Sequence, residues 1–137
     1  MSSALTEWSA EFENGISWQD QQHRELIQSV HKLYGAILSK QSDDAIQEIV
    51  NFLYNYTKNH FDMEERYMEA YLYPETDAHV FQHRSFIKML EDFEEERRSG
   101  KTLANLALCY DLNKWTLNHI KTEDQRFADF LRVEGES

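Results

Sequence analysis

The stretch "HFDMEERYMEAYLYPETDAHVFQH", residues 60–83, holds three of the six histidines of a 137-residue chain. His60 stands four residues before Glu64, and His79 four before His83. On a helix, residues four apart lie about 40° out of line and one turn up, so each pair can reach a common point. The lone proline, Pro74, ends the first of these helices and separates it from the second. The spacing is that of metal ligands on two neighbouring helices.

Working outward, four segments carry a helical period. The first spans about Asp20 to Leu38, with His23, Leu26, Ile27, Val30, Leu33, Tyr34 and Ile37 on one face. The second spans Asp43 to about Tyr71, with Ser42 as N-cap, and aligns Ile46, Ile49, Val50, Leu53, Thr57, His60, Phe61, Glu64, Tyr67 and Met68. The third spans about Glu75 to Arg98, with Thr76 as cap and His79, His83, Phe86, Ile87, Leu90 and Phe93 inward. Gly100 closes it. The fourth, about Leu103 to Leu131, places Leu106, Cys109, Leu112, Thr116, His119 and Phe127 near one stripe, flanked by Trp115 and Ile120. Short loops between helices force antiparallel neighbours, so the expectation is an all-α, up-down-up-down four-helix bundle over 19–131. Residues 1–18 form an irregular N-terminal arm whose Trp8 and Trp18 pack over the bundle. The whole of 1–137 reads as one domain.

Composition agrees. Glycine and proline together number only five, which suits long helices. A formal charge of −11 repels nucleic-acid phosphates and anionic membrane surfaces, and Arg97-Arg98 is the longest basic run. No apolar run approaches the ~18 residues of a membrane span, and the first residues lack a signal-peptide pattern. These features point to a cytoplasmic protein with neither nucleic acid nor membrane as partner. Cys109, the single cysteine, reads as a small buried apolar residue.

Histidines and carboxylates on an apolar stripe cost several kcal/mol each unless something pairs with them. Here all four helices contribute: His23; His60 and Glu64; His79 and His83; His119 and Asp124. In an antiparallel bundle those positions share one end. Five imidazoles and two carboxylates exceed the needs of one tetrahedral zinc, whereas two ions sharing two bridging carboxylates use the whole set. Nitrogen-rich ligation without thiolate suits redox iron better than calcium, magnesium or structural zinc, with manganese and dizinc left open. Glu-x-x-His pairs, zinc-protease His-Glu-x-x-His, Gly-x-Ser-x-Gly and glycine-rich phosphate loops are all absent. His119 and Asp124 are five apart, about 140° out of line on a regular helix, which predicts a π-type turn between them.

With "W8…G15-I16…D20-Q-Q-H23", "H60-F-D-M-E64-E65…M68", "Y73-P74…H79-V-F-Q-H83" and "W115-T-L-N-H119-I-K-T-E-D124", nearly the whole chain resembles the hemerythrin family in its single-domain bacterial form, the bacteriohemerythrins. The resemblance implies two non-haem irons with a bridging oxo or hydroxo group. His79, His83 and His119 hold one iron, His23 and His60 the other, and Glu64 and Asp124 bridge them. It further implies that O2 binds reversibly at the open position of the two-histidine iron. Leu26, Phe61, Trp115, Thr116 and Ile120 match positions lining the family's oxygen pocket. His31 matches no ligand position. Thr116 departs from the leucine common in the family, and its hydroxyl is expected either to raise pocket polarity and speed autoxidation or to bond back to its own helix.

Three functions follow from that resemblance. A free chain of this length favours oxygen storage or delivery to oxygen-consuming enzymes, without catalysis. An oxygen or redox sensor, or a di-iron enzyme reducing NO, peroxide or O2, are the alternatives. The sequence leaves the oligomeric state open.

Overall fold

The computed structural model describes residues 5–98 and 100–135, so residues 1–4 of the expected arm lie outside the described residues. Helices α1 (Ser17–Leu38), α2 (Asp43–Ala70), α3 (Thr76–Arg97) and α4 (Thr102–His119) are followed by a π-turn at Ile120–Asp124 and by α5 (Gln125–Val133). α4, the π-turn and α5 together make the fourth rod of the bundle. Each rod packs on two others, α1 against α2 and α4, and α3 against α2 and α4, and the described residues contain no strand. The all-α four-helix bundle is the fold that the periodicity implies.

Local chemistry explains where the helices stop. The Ser42 hydroxyl accepts the Ala45 N–H at 3.2 Å and starts α2. α1 and α2 both end without glycine. Lys40 and Leu72 take left-handed backbone at φ 55 and 54. The Gln41 N–H then bonds the Ala36 carbonyl at 3.0 Å, and the Tyr73 N–H bonds that of Met68 at 2.9 Å. These are Schellman closures, the second sealed by apolar packing of Tyr73 with Met68. α2 therefore ends through its own cap, with Pro74 just beyond. Thr76 is the first residue of α3 and not its cap; its hydroxyl donates to the Tyr73 carbonyl at 2.6 Å. Gly100, at φ 75, closes α3 as expected.

α1 starts three residues earlier than its apolar period suggests, because Asp20 reaches back and accepts the N–H groups of Asn14 (2.9 Å) and Gly15 (3.1 Å). The arm holds one short 3-10 turn, Ala10–Phe12. Its Trp8 packs with Phe12 on Ile27, Leu117 and Ile120. Trp18, already inside α1, stacks on Tyr67 at 4.9 Å.

Two apolar layers frame the histidine end. A long core running through Leu33, Leu53, Phe86, Leu90, Phe93, Cys109 and Leu112 fills most of the bundle. A smaller cluster of Ile16, Met68, Tyr73, Phe127, Ala128 and Leu131 closes the end beyond the histidines. Cys109 is fully buried and its thiol is pushed up to about 12 by burial, so it is inert packing. The far end is tied by Arg97, which along the chain is simply half of a basic pair. It is buried and bonds Glu94, Asp43 and Gln47, linking the end of α3 to the start of α2.

Leu72 is 83% exposed, so its side chain gains little from burial while its left-handed backbone costs about 1 kcal/mol. Leu72→Gly is expected to raise the thermal midpoint of the metal-free protein by a few degrees, read by circular dichroism.

Candidate metal centre

Between the two apolar layers the structure brings His23, His60, Glu64, His79, His83, His119 and Asp124 together, each between 0% and 3% exposed. The arrangement divides in two. Glu64 Oε1 faces His83 Nε2 at 3.0 Å and His79 Nε2 at 3.5 Å, while its Oε2 faces His60 Nε2 at 3.4 Å and His23 Nε2 at 3.8 Å. Asp124 repeats the pattern. Its Oδ1 lies 3.0 Å from His79 Nε2 and 3.3 Å from His119 Nε2, and its Oδ2 lies 2.9 Å from His23 Nε2. Two groups result, Glu64–His79–His83–His119–Asp124 and His23–His60–Glu64–Asp124, sharing both carboxylates.

The π-turn makes this possible. It inserts one residue into the fourth rod, so Asp124 stands under His119 as a residue four away would on a regular helix. The expected local widening is present at Ile120–Asp124.

Three rings are oriented through their second nitrogen. His60 Nδ1 donates to Gln22 Oε1 at 2.5 Å, His83 Nδ1 to Glu65 Oε2 at 2.8 Å, and His119 Nδ1 to Gln82 Oε1 at 2.7 Å. A proton on Nδ1 leaves the Nε2 lone pair facing the centre. Phe61 stacks on His83 at 3.8 Å and Trp115 on His119 at 4.6 Å, fixing both ring planes.

The inward atoms answer whether metal fits. Among the described residues, Nε2 of His23, His79, His83 and His119, Oε1 of Glu64 and Oδ1 of Asp124 are all buried and find no hydrogen-bond partner beyond one another. Orphaned acceptors converging on two points are what a pair of cations satisfies. Without metal the cluster must neutralise itself with protons. Burial disfavours charge on His23 and His79, yet Asp124 and Glu64 push them up to about 9 and about 10. Burial lowers His60 to about 4, against the pull of Glu64. Burial also favours neutral carboxyls, but the imidazoles around Glu64 and Asp124 hold both well below the usual carboxylate range.

All five expected pocket residues, Leu26, Phe61, Trp115, Thr116 and Ile120, line one internal cavity that also touches His23, His60, His119 and Asp124. It leaves about 10 Å³ for the centre of a water-sized molecule, room for roughly one. Thr116 resolves to the second of its two expected states. Its hydroxyl donates to the Leu112 carbonyl at 2.7 Å, so its proton is not free for a pocket ligand. The hydroxyl without a partner in this cavity belongs to Thr57. His31 stays outside the cluster and bonds the Thr6 carbonyl at 2.9 Å.

A sequence profile described as the Hemerythrin HHE cation binding domain matches residues 14–131. The chain belongs to the hemerythrin family. A bacteriohemerythrin of Stenotrophomonas maltophilia is 35% identical over 95% of this chain and 84% of its own length. One from Pseudomonas aeruginosa is 30% identical over 91% and 80%. A hemerythrin from Sipunculus nudus is 27% identical over 90% and 92%. The hemerythrin domain binds a di-iron centre, and hemerythrins are generally oxygen-binding proteins rather than enzymes. The histidine and carboxylate cluster of this chain fits that centre.

Sequence reasoning missed Gln19, Gln22, Glu65 and Gln82. Gln19, four residues before His23, donates to Glu64 Oε2 at 2.9 Å. The rule that exposed the histidines, a polar side chain on an apolar stripe, would have found it had the helix been started at Ser17. Gln22, Glu65 and Gln82 each sit beside a member of the cluster in the chain and orient an imidazole on another helix, which periodicity does not show.

Two outcomes follow. His60→Ala leaves the three-histidine group whole, so it is expected to retain about one ion per chain, whereas Glu64→Ala, which opens both groups, retains fewer; metal analysis after desalting distinguishes them. Metal-free His23 and His79, held up to about 9 and about 10, must give up their protons when metal binds, so loading ferrous iron should release at least two protons per chain at pH 7 and fewer at pH 10, measured by pH-stat.

Proposed function

We propose that this chain binds O2 reversibly and serves oxygen storage or delivery to oxygen-consuming enzymes in the cytoplasm. Its ligands are His79, His83 and His119 on one iron, His23 and His60 on the other, and bridging Glu64 and Asp124. The single observation carrying the reading is the inequality of the two halves beside the cavity. Both share the same carboxylates, but one offers three imidazole nitrogens and the other two. The two-histidine half is a ligand short, and the cavity beside it has room for one small molecule.

The iron pair, when bound, supplies electrons that a small ligand can take up and return. The chain's own residues do the rest. Leu26, Phe61, Trp115 and Ile120 present apolar surface that excludes bulk water, and water exclusion protects a reduced centre from irreversible oxidation. Among the described residues, and apart from the cluster's own members, the cavity lining carries no carboxyl, amine or imidazole. That favours binding over a reaction consuming protons at each turnover.

One observation favours the enzymatic alternative. Glu65 is about one-third exposed and bonds His83, giving protons a path from solvent to one ligand ring. Among the described residues no helix is long and apolar enough to cross a membrane.

The deciding experiment loads ferrous iron anaerobically, admits air, purges with argon and follows visible absorbance through repeated cycles. Recovery of the starting spectrum on each purge is the expected result. Conversion in one direction only, or continuous O2 consumption with added reductant, would replace carriage by sensing or catalysis.

A further inference from the structure

The two bridging carboxylates are not equivalent. Glu64 Oε2 receives the amide of Gln19 at 2.9 Å, whereas among the described residues Asp124 faces imidazoles alone and takes no amide. Gln19 is fully buried, and its oxygen accepts from Asn14 Nδ2 at 2.8 Å. Asn14 Oδ1 in turn accepts the backbone N–H of Ile16 at 2.9 Å.

The direction of this chain is fixed at both ends. The Ile16 N–H can only donate, and an ionised carboxylate can only accept. Each amide must therefore turn its oxygen toward Ile16 and its nitrogen toward Glu64, and the successive dipoles reinforce one another. The turn that anchors it is held from two sides: Asp20 accepts from Asn14 N and Gly15 N, and Arg132 of α5 donates to the Asn14 carbonyl. Gly15 is at φ 89, and an added Cβ would stand 3.3 Å from Arg132 Nη1, so the close turn favours glycine.

A carboxylate oxygen that accepts a hydrogen bond donates less electron density to a metal, and a ferrous ion needs less than a ferric one. Gln19 acts on Oε2, the oxygen that faces His60 and His23. We infer that Asn14 and Gln19 form a polarised amide relay that weakens Glu64 as a donor to the two-histidine iron and biases the bound pair toward its reduced form. They are positioning residues, acting through Glu64. The inference rests on the di-iron reading but not on reversible O2 binding.

The test compares the wild type with Gln19→Met, which keeps length and apolar bulk but removes the donor, and with Asn14→Ala, which removes only the outer link. Each iron takes one electron from dithionite in a mediated titration. At fixed potential the ferrous to ferric ratio is expected to fall about tenfold in Gln19→Met, the effect of a hydrogen bond to a charged group. It should fall by less in Asn14→Ala. In the metal-free protein, the infrared carboxylate band of Glu64 should shift in Gln19→Met and not in Gln21→Ala, a change at an exposed glutamine of the same helix.

A ratio within twofold of wild type in a Gln19→Met protein holding two irons overturns the proposal. If that variant fails to hold them, Asn14→Ala decides, and an unchanged ratio there overturns it equally. Failure of O2 reversal with the ratio shifted as expected would count against the oxygen-storage reading alone.

Discussion

Glu64 and Asp124 are ionised carboxylates held where water does not reach, each turning both oxygens toward imidazole nitrogens. Taking such charges out of water costs several kcal/mol apiece unless partners compensate within hydrogen-bonding distance. That constraint dictates much of the rest. Four rods must bring their histidines and carboxylates to one depth, the fourth must gain a residue to rotate Asp124 beneath His119, and the ring planes must be held for Nε2 to face inward. Protons can occupy the centre without metal, which is why His23 and His79 stay charged far above the usual histidine range.

The apolar layers on either side do two jobs. They supply most of the driving force for folding, and they lower the local dielectric so that each charge–imidazole contact counts for more. The layer beyond the histidines is built partly from α5 and partly from the Schellman closure of α2, where Tyr73 packs on Met68 and Phe127. Helix ends, commonly mere punctuation, are here part of the lid over the charged cluster. The N-terminal turn is drawn in similarly, since Asn14 and Gln19 connect it to one carboxylate and not to the other.

Much of this was legible in the residues. The i, i+4 pairs His60–Glu64 and His79–His83 marked two helices and their inward faces, and the five-residue step from His119 to Asp124 required a widened turn that the fold contains. What stayed hidden had specific causes. Starting α1 at Asp20 and not Ser17 left Gln19 outside the helix, so its place on the His23 stripe went unread. Thr116 offered two hydroxyl directions, toward the pocket or back to its own helix, and only its distance to the Leu112 carbonyl distinguishes them. Arg97 read along the chain only as half of a basic pair, because its partners Asp43 and Gln47 lie on another helix.

The sequence by itself determined four helices, their inward stripes and the shared depth of the histidines and carboxylates, because helical periodicity converts spacing into direction. Only the tertiary structure decided which carboxylate oxygen meets which imidazole, that Gln22, Glu65 and Gln82 orient three of the rings, and that Glu64 receives an amide donor from Gln19. Those outcomes depend on rotamers and on rotations of one rod against the next. Such quantities are set by packing between distant segments and leave no periodic trace along the chain.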